Sequence, residues 1–268
     1  MIYASANRQE SAGTAIAFPC MGSRSWCSGA LAALAVVLAL PSLAVAQTNG
    51  TWTQTANGTY TWGTTTNWAG GIVAGGTGSV ASLTADTAAG GSTLAPLQTI
   101  NLNATVTTGT LRWADTNATG AVTSYGIAAG TGGALNMATS DGSTPTILYV
   151  GASQNQQMLI SAPITGTQGL RISSTGSVGT GQVNLTGTST FTGNITIDGG
   201  AVTFFNLLDT GRLGATGTFT GDISIGASAV YRAWNSGLQT LSGNISGAGG
   251  IQMIARDYTT GTLALTGS

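Results

Sequence analysis

Through residues 76–268 the apolar side chains come in short alternating runs. Ile195-Thr196-Ile197 and Ile223-Ser224-Ile225 each place two β-branched apolar side chains on one face and a hydroxyl on the other. That period of two is the mark of a strand with one buried face. No run of period 3.6 follows residue 46, and the strong helix formers Glu and Lys are missing there while Gly and Thr abound. The pattern predicts an all-β fold. A turn precedes each strand: Thr192-Gly193-Asn194, Thr220-Gly221-Asp222 and Ser242-Gly243-Asn244. Gly accepts positive φ, and Asn or Asp bonds its own backbone, so both suit a turn.

The unit Phe191, Gly193, Asn194, Ile195, Ile197 returns as Phe219, Gly221, Asp222, Ile223, Ile225 after 28 residues, then in shorter form as Gly243, Asn244, Ile245 after 22 more. Self-similarity at such a period predicts a solenoid whose coils stack, apolar residues inward and threonines outward. At roughly 22 residues per coil, about 170 repetitive residues give about eight coils and a rod near 40 Å. Stacking would align Asn194, Asp222 and Asn244 as a polar ladder at one corner. A second resemblance, at a separation of about 80 residues, pairs 161–172 with 242–253 and 181–187 with 261–267, as if several coils formed one larger unit.

Other strand candidates are 82–84, 99–103 and 110–113, with 146–150 and 158–160 as nearly continuous apolar runs expected to be covered on both sides. The run 201–205 is matched by 229–234. Residues 115–133 are rich in turn formers and are expected as a surface excursion, with Val122, Tyr125 and Ile127 their sizeable apolar residues. Residues 47–75 stand apart through Trp52, Tyr60, Trp62 and Trp68. Strands on either side of Ala56-Asn57-Gly58 are expected to form a hairpin, since Asn-Gly suits a two-residue turn. The aromatic residues would cap the exposed end of the solenoid. The alternative is an aromatic platform for sugar.

The opening Trp62, Asn67-Trp68, Gly71, followed by Leu185-Thr186-Gly187, Thr190-Phe191-Thr192-Gly193 and Asn194-Ile195-Thr196-Ile197-Asp198-Gly199-Gly200-Ala201-Val202, resembles autotransporter-associated β-strand repeat proteins. Residues 185–203 carry the resemblance closely, 213–225 and 241–267 in part. It implies a right-handed parallel β-helix used as an extracellular stalk or passenger, with an adhesive role open. It also implies export through a C-terminal outer-membrane barrel, which the sequence to Ser268 does not contain. The last repeat stops where its continuation should begin, so the chain is expected to be truncated within a repeat.

Residues 1–46 read as a secretory signal: Arg24, an apolar run over 30–40, Pro41, and the small-residue cleavage pattern ending at Ala44 and Ala46. The run is too short for a membrane-spanning helix. Met21 is an alternative start. The expected organisation is therefore a signal peptide at 1–46, a cap segment at 47–75 and the repeat region at 76–268, placed outside the cell or at a bacterial outer membrane.

Both cysteines, Cys20 and Cys27, lie in the leader, so the exported part has no disulfide framework. Of seven Lys and Arg, Arg8 and Arg24 are in the leader, leaving five Arg; of eight Asp and Glu, Glu10 is in the leader, leaving seven Asp. So thin a charge gives no basic patch for nucleic acid. Without Cys or His beyond residue 46, neither a Ser-His or Cys-His nucleophile nor a conventional zinc site can be assembled. Without Lys there is no phosphate-binding Gly-Lys loop. Asp198 and Asp222 are the candidate glycosidase pair, but each sits in a Gly turn where structural Asp is common. Asp141-Gly142 and Asp209-Thr210-Gly211 likewise read as turns rather than calcium sites. The expectation is a non-enzymatic chain without a cofactor, meeting an extracellular glycan or matrix. The alternative is a polysaccharide-binding or polysaccharide-cleaving β-helix with Trp113 and Trp234 facing a groove.

Overall fold

The computed structural model describes residues 46–84, 98–114, 124–150, 156–175, 181–199, 203–254 and 261–267. All belong to one compact unit, Leu43–Ser268. The signal-peptide reading of 1–46 lies outside these residues except for Ala46, as do Val122, Gly200, Ala201 and Val202. Among the described residues there are two short 3-10 turns, at Thr65–Asn67 and Ala69–Gly71, and no α-helix.

The chain winds as a parallel β-solenoid with three sides. β1 (Gly50–Thr51) lies on the first side and β2 (Gly58–Thr61) on the second; the two 3-10 turns follow. The next coil is β3 (Val80–Leu83), β4 (Gln98–Asn101) and β5 (Val106–Thr108), and the cycle repeats as β6 (Thr110–Trp113), β7 (Ser124–Ala128) and β8 (Leu135–Met137). It continues with β9 (Thr146–Tyr149), β10 (Gln156–Ile160) and β11 (Ile164–Thr165), then β12 (Leu170–Ser174), β13 (Gly181–Leu185) and β14 (Thr188–Ser189). After β15 (Ile195–Ile197) and β16 (Thr203–Asp209), the third side takes two strands, β17 (Arg212–Leu213) and β18 (Thr218–Phe219). Last come β19 (Ile223–Ile225), β20 (Val230–Asn235), β21 (Leu238–Leu241), β22 (Ile245–Ser246), β23 (Gly250–Met253) and β24 (Thr262–Leu265). Sides one and two are continuous eight-stranded sheets, about 34 Å long at strand spacing, while side three is divided into sheets of three, two and three strands.

Register explains the stacking. On side two, Tyr60, Ile100, Ile127, Ile160, Leu185, Leu207, Ala233 and Met253 are partners from strand to strand. On side one the equivalent column is Ala81, Leu111, Ile147, Ile172, Ile197 and Ile225. Apart from the exposed Met253, these side chains face one shared core, in which aromatic residues stack too: Trp113 on Tyr149 at 4.6 Å between ring centres, Phe205 on Tyr231 at 5.9 Å, and Phe191 on Phe219 at 5.6 Å. Burying each aliphatic side chain contributes about 1.5–3 kcal/mol, so the columns are the main cohesive force.

Several sequence expectations change. Coil length is not constant: the step is 30 residues from Ala81 to Leu111, 36 from Leu111 to Ile147, 25 from Ile147 to Ile172 and 22 from Ile223 to Ile245. The 80-residue resemblance does not join equivalent places either. Ile164 lies on side three and its counterpart Ile245 on side one; Leu170 lies on side one and Ile251 on side two. All three sides use the same strand-and-turn pattern, so the resemblance slips by one side. The hairpin across Asn57-Gly58 is absent, because β1 pairs with β3 and β2 with β4, both in parallel, on different sides. Tyr125 and Ile127 are buried strand residues within a coil rather than part of an excursion. β9 is not covered on both faces: Ile147 and Tyr149 are buried, whereas Leu148 is half-exposed.

Candidate functional site

The corner carrying the repeat motif is built by glycine. A Cβ on Gly193 would lie 2.6 Å from the Gly169 nitrogen, one on Gly221 2.0 Å from the Gly193 oxygen, and one on Gly243 2.1 Å from the Gly221 oxygen. The backbones of successive coils therefore meet here at a distance only glycine allows. Gly193 also needs its φ of 87°. Beside this column the Asn194 Oδ1 accepts the Asp222 backbone N–H at 3.0 Å, and the Asp222 Oδ1 accepts that of Asn244 at 2.8 Å. The backbone of Ile195 donates to the Asp222 carbonyl, and Ile223 to that of Asn244, each at 2.8 Å. The expected ladder exists, but its side chains bond the next coil's backbone instead of one another.

A side-chain ladder of the expected kind occurs elsewhere. On side two, Asn184 Nδ2 donates to Gln157 Oε1 at 2.9 Å, and Asn206 Nδ2 donates to Asn184 Oδ1 at 2.6 Å. All three residues are buried. The signal was present in Val183-Asn184-Leu185 and Phe205-Asn206-Leu207, where the same polar residue interrupts an apolar pair in register. Gln239 is similarly buried and ties the Leu213 N–H and the Leu213 and Gly217 carbonyls together.

At the N-terminal end Trp52, Trp62 and Trp68 are 1–2% exposed and meet edge to face, at 5.1 Å for Trp52 with Trp68 and 5.0 Å for Trp62 with Trp68. Each indole N–H is bonded within the protein: Trp52 to Gln98 Oε1, Trp62 to the Ala74 carbonyl and Trp68 to the Trp62 carbonyl. Buried and hydrogen-bonded, these rings present no face to a sugar. Gln98, which sequence reading passed over, also donates to the carbonyls of Gln54 and Ala56. Trp113 is likewise wholly buried, so it does not face a groove; Trp234 is half-exposed.

Among the described residues, Asp198, Asp222 and Asp141 each make bonds within the protein. Asp198 pairs with Arg171 at 2.8 Å on the surface, and Asp222 holds the corner. Asp141 accepts from the Ser143 N–H and hydroxyl across the Gly142 turn, and these two bonds hold its carboxyl below the usual range. The Tyr231 hydroxyl lies in the core with no hydrogen-bond partner, and burial drives its ionisation far above the ordinary phenol range, so it stays neutral. Among the described residues no group of three or more His, Cys, Asp or Glu gathers as a metal site would need.

Two clefts remain. A polar one of about 270 Å³ lies between Gln47, Thr110, Thr139, Asp141 and Ser143. An apolar one of about 280 Å³ lies between Val73–Gly76 and 104–107, at the start of β5. No family model, no curated protein and no solved structure matches the chain.

Proposed function

We propose that this chain is a non-enzymatic, exported β-solenoid of the autotransporter-passenger kind, acting as a stalk that carries binding surfaces away from the cell. The single observation that supports the reading is the use of its polar side chains. The Asn194–Asp222–Asn244 corner, the Gln157–Asn184–Asn206 ladder and the Arg171–Asp198 pair all bond one coil to the next. Groups committed to holding coils together are not free to move protons, and stiffness along the stack is what a stalk requires. The signal-like leader and the repeat resemblance support placement outside the cell, at a bacterial surface, with the tryptophan cluster closing the N-terminal end of the stack. The partner proposed is an extracellular glycan or matrix component. The test has two parts. An epitope tag in the exposed 141–143 turn should be reached by antibody on intact cells. The purified chain should release no reducing sugar from neutral or acidic polysaccharides. Steady turnover of any such glycan refutes the stalk reading, and a tag reached only after cell lysis refutes the placement.

A further inference from the structure

The apolar cleft is where the solenoid breaks its own rule. Sides one and two carry a strand at every level from β1 and β2 onward, but side three begins only with β5. Between β2 and β3, where the first side-three strand would fall in sequence, the chain instead makes two 3-10 turns and bridges back antiparallel to the N-terminal segment, Trp68 to Trp52 and Gly75 to Thr48. β5 is consequently an edge strand, paired with β8 alone. Its ladder bonds use alternate residues: the Val106 N–H donates to the Ala134 carbonyl, and the Thr108 carbonyl accepts from Ala138. The intervening Thr105 and Thr107 therefore direct their N–H groups to the open edge, and among the described residues neither N–H is bonded. At the far end the gap closes, with Ser79 Oγ 3.2 Å from Thr108 Oγ1. The cleft of about 280 Å³ borders that edge, and no charged residue lines it.

We propose that this edge binds an extended, uncharged peptide segment of a partner protein, which runs parallel to β5 as the side-three strand that the first coil lacks. Its backbone carbonyls accept from Thr105 and Thr107, and one aliphatic side chain fills the space beside Val73, Ala104 and Val106. Strand addition of this kind takes affinity from the main chain and selectivity from the pocket. The volume sits just under the range typical of small-molecule pockets and suits a side chain better than a sugar chain. The inference stands whether or not the chain is a stalk.

The probe is the capped hexapeptide of residues 133–138, the strand β5 already accepts on its other edge, titrated into the 15N-labelled full chain. Saturable shifts are expected at the amides of Thr105, Thr107 and residues 73–76 and at the Trp62 indole. Thr107→Pro removes one edge donor and leaves the backbone ladder to β8 in place, losing only the Asn136 Nδ2 to Thr107 Oγ1 side-chain bond, and should weaken binding roughly five- to tenfold. Val73→Phe, which keeps the donors and fills the cleft, should abolish it, and serves alone if the proline variant does not fold. Absence of saturable shifts overturns the proposal. So does equal binding by Thr107→Pro or by Val73→Phe. Dilution-dependent shifts of the same amides without peptide overturn it in favour of a second copy of the chain.

Discussion

Replacing Gly221 by alanine tests whether the coils really meet backbone to backbone. The added methyl would lie 2.0 Å from the Gly193 oxygen and 2.9 Å from Phe219 Cζ, so it can be accommodated only by separating two coils at the corner. Two bonds tie these two coils at the corner: Ile195 N to Asp222 O at 2.8 Å and Asp222 N to Asn194 Oδ1 at 3.0 Å. Stretching them at about 0.5–1.5 kcal/mol each, net of water, costs about 1–3 kcal/mol. For a domain of this size that is a fall in Tm of roughly 2–12 °C, readable by circular dichroism at 218 nm or so. The control is Gly237→Ala, whose added methyl would meet nothing within 4 Å. It should stay within about 0.5 kcal/mol of the parent. A Tm for Gly221→Ala indistinguishable from that of Gly237→Ala would refute the close approach and, with it, the stacking of the repeat motif.

Leu207→Ala, in the middle of the side-two column and wholly buried, should cost about 2–5 kcal/mol in urea unfolding, with an unchanged slope if the core stays otherwise intact. Gln98→Leu strips the Trp52 indole of its acceptor and should cost about 1–3 kcal/mol, seen as a lower thermal midpoint with a changed near-ultraviolet tryptophan signal. The Asp141 carboxyl, held below its ordinary value of 3.8 by Ser143, supports its turn above that value and loses the support as pH falls through the lower, folded value. An NMR titration should show the Ser143 amide moving below pH 3.8, and Ser143→Ala should bring the carboxyl back up.

The repeat motif was legible because its chemistry is local. Gly193-Asn194 and Gly221-Asp222 announce a turn, Ile195 and Ile197 a one-faced strand, and their spacing a stack; β15 and β19 pair in the register the motif implies, Ile195 with Ile223 and Ile197 with Ile225. Other features depended on neighbours that are distant in sequence. A hairpin across Asn57-Gly58 was reasonable locally, yet β3 and β4 offer parallel partners that bury Trp52 and Ile100, and packing overrode turn preference. Tyr125 looked like a loop residue until Met158 and Val183 stood above it in one column. The glycine column and the Asn184–Asn206 ladder are distances between coils, which no single segment contains.

By itself, then, the sequence determined the alternation, the turns, the missing catalytic residue types and the fact of stacking, since each follows from side chains a few positions apart. Tertiary structure decided which side each strand occupies, how many residues each coil spends between partners, and where an edge is left open. The three sides share one strand-and-turn pattern, and only closing the coil against its neighbours tells them apart.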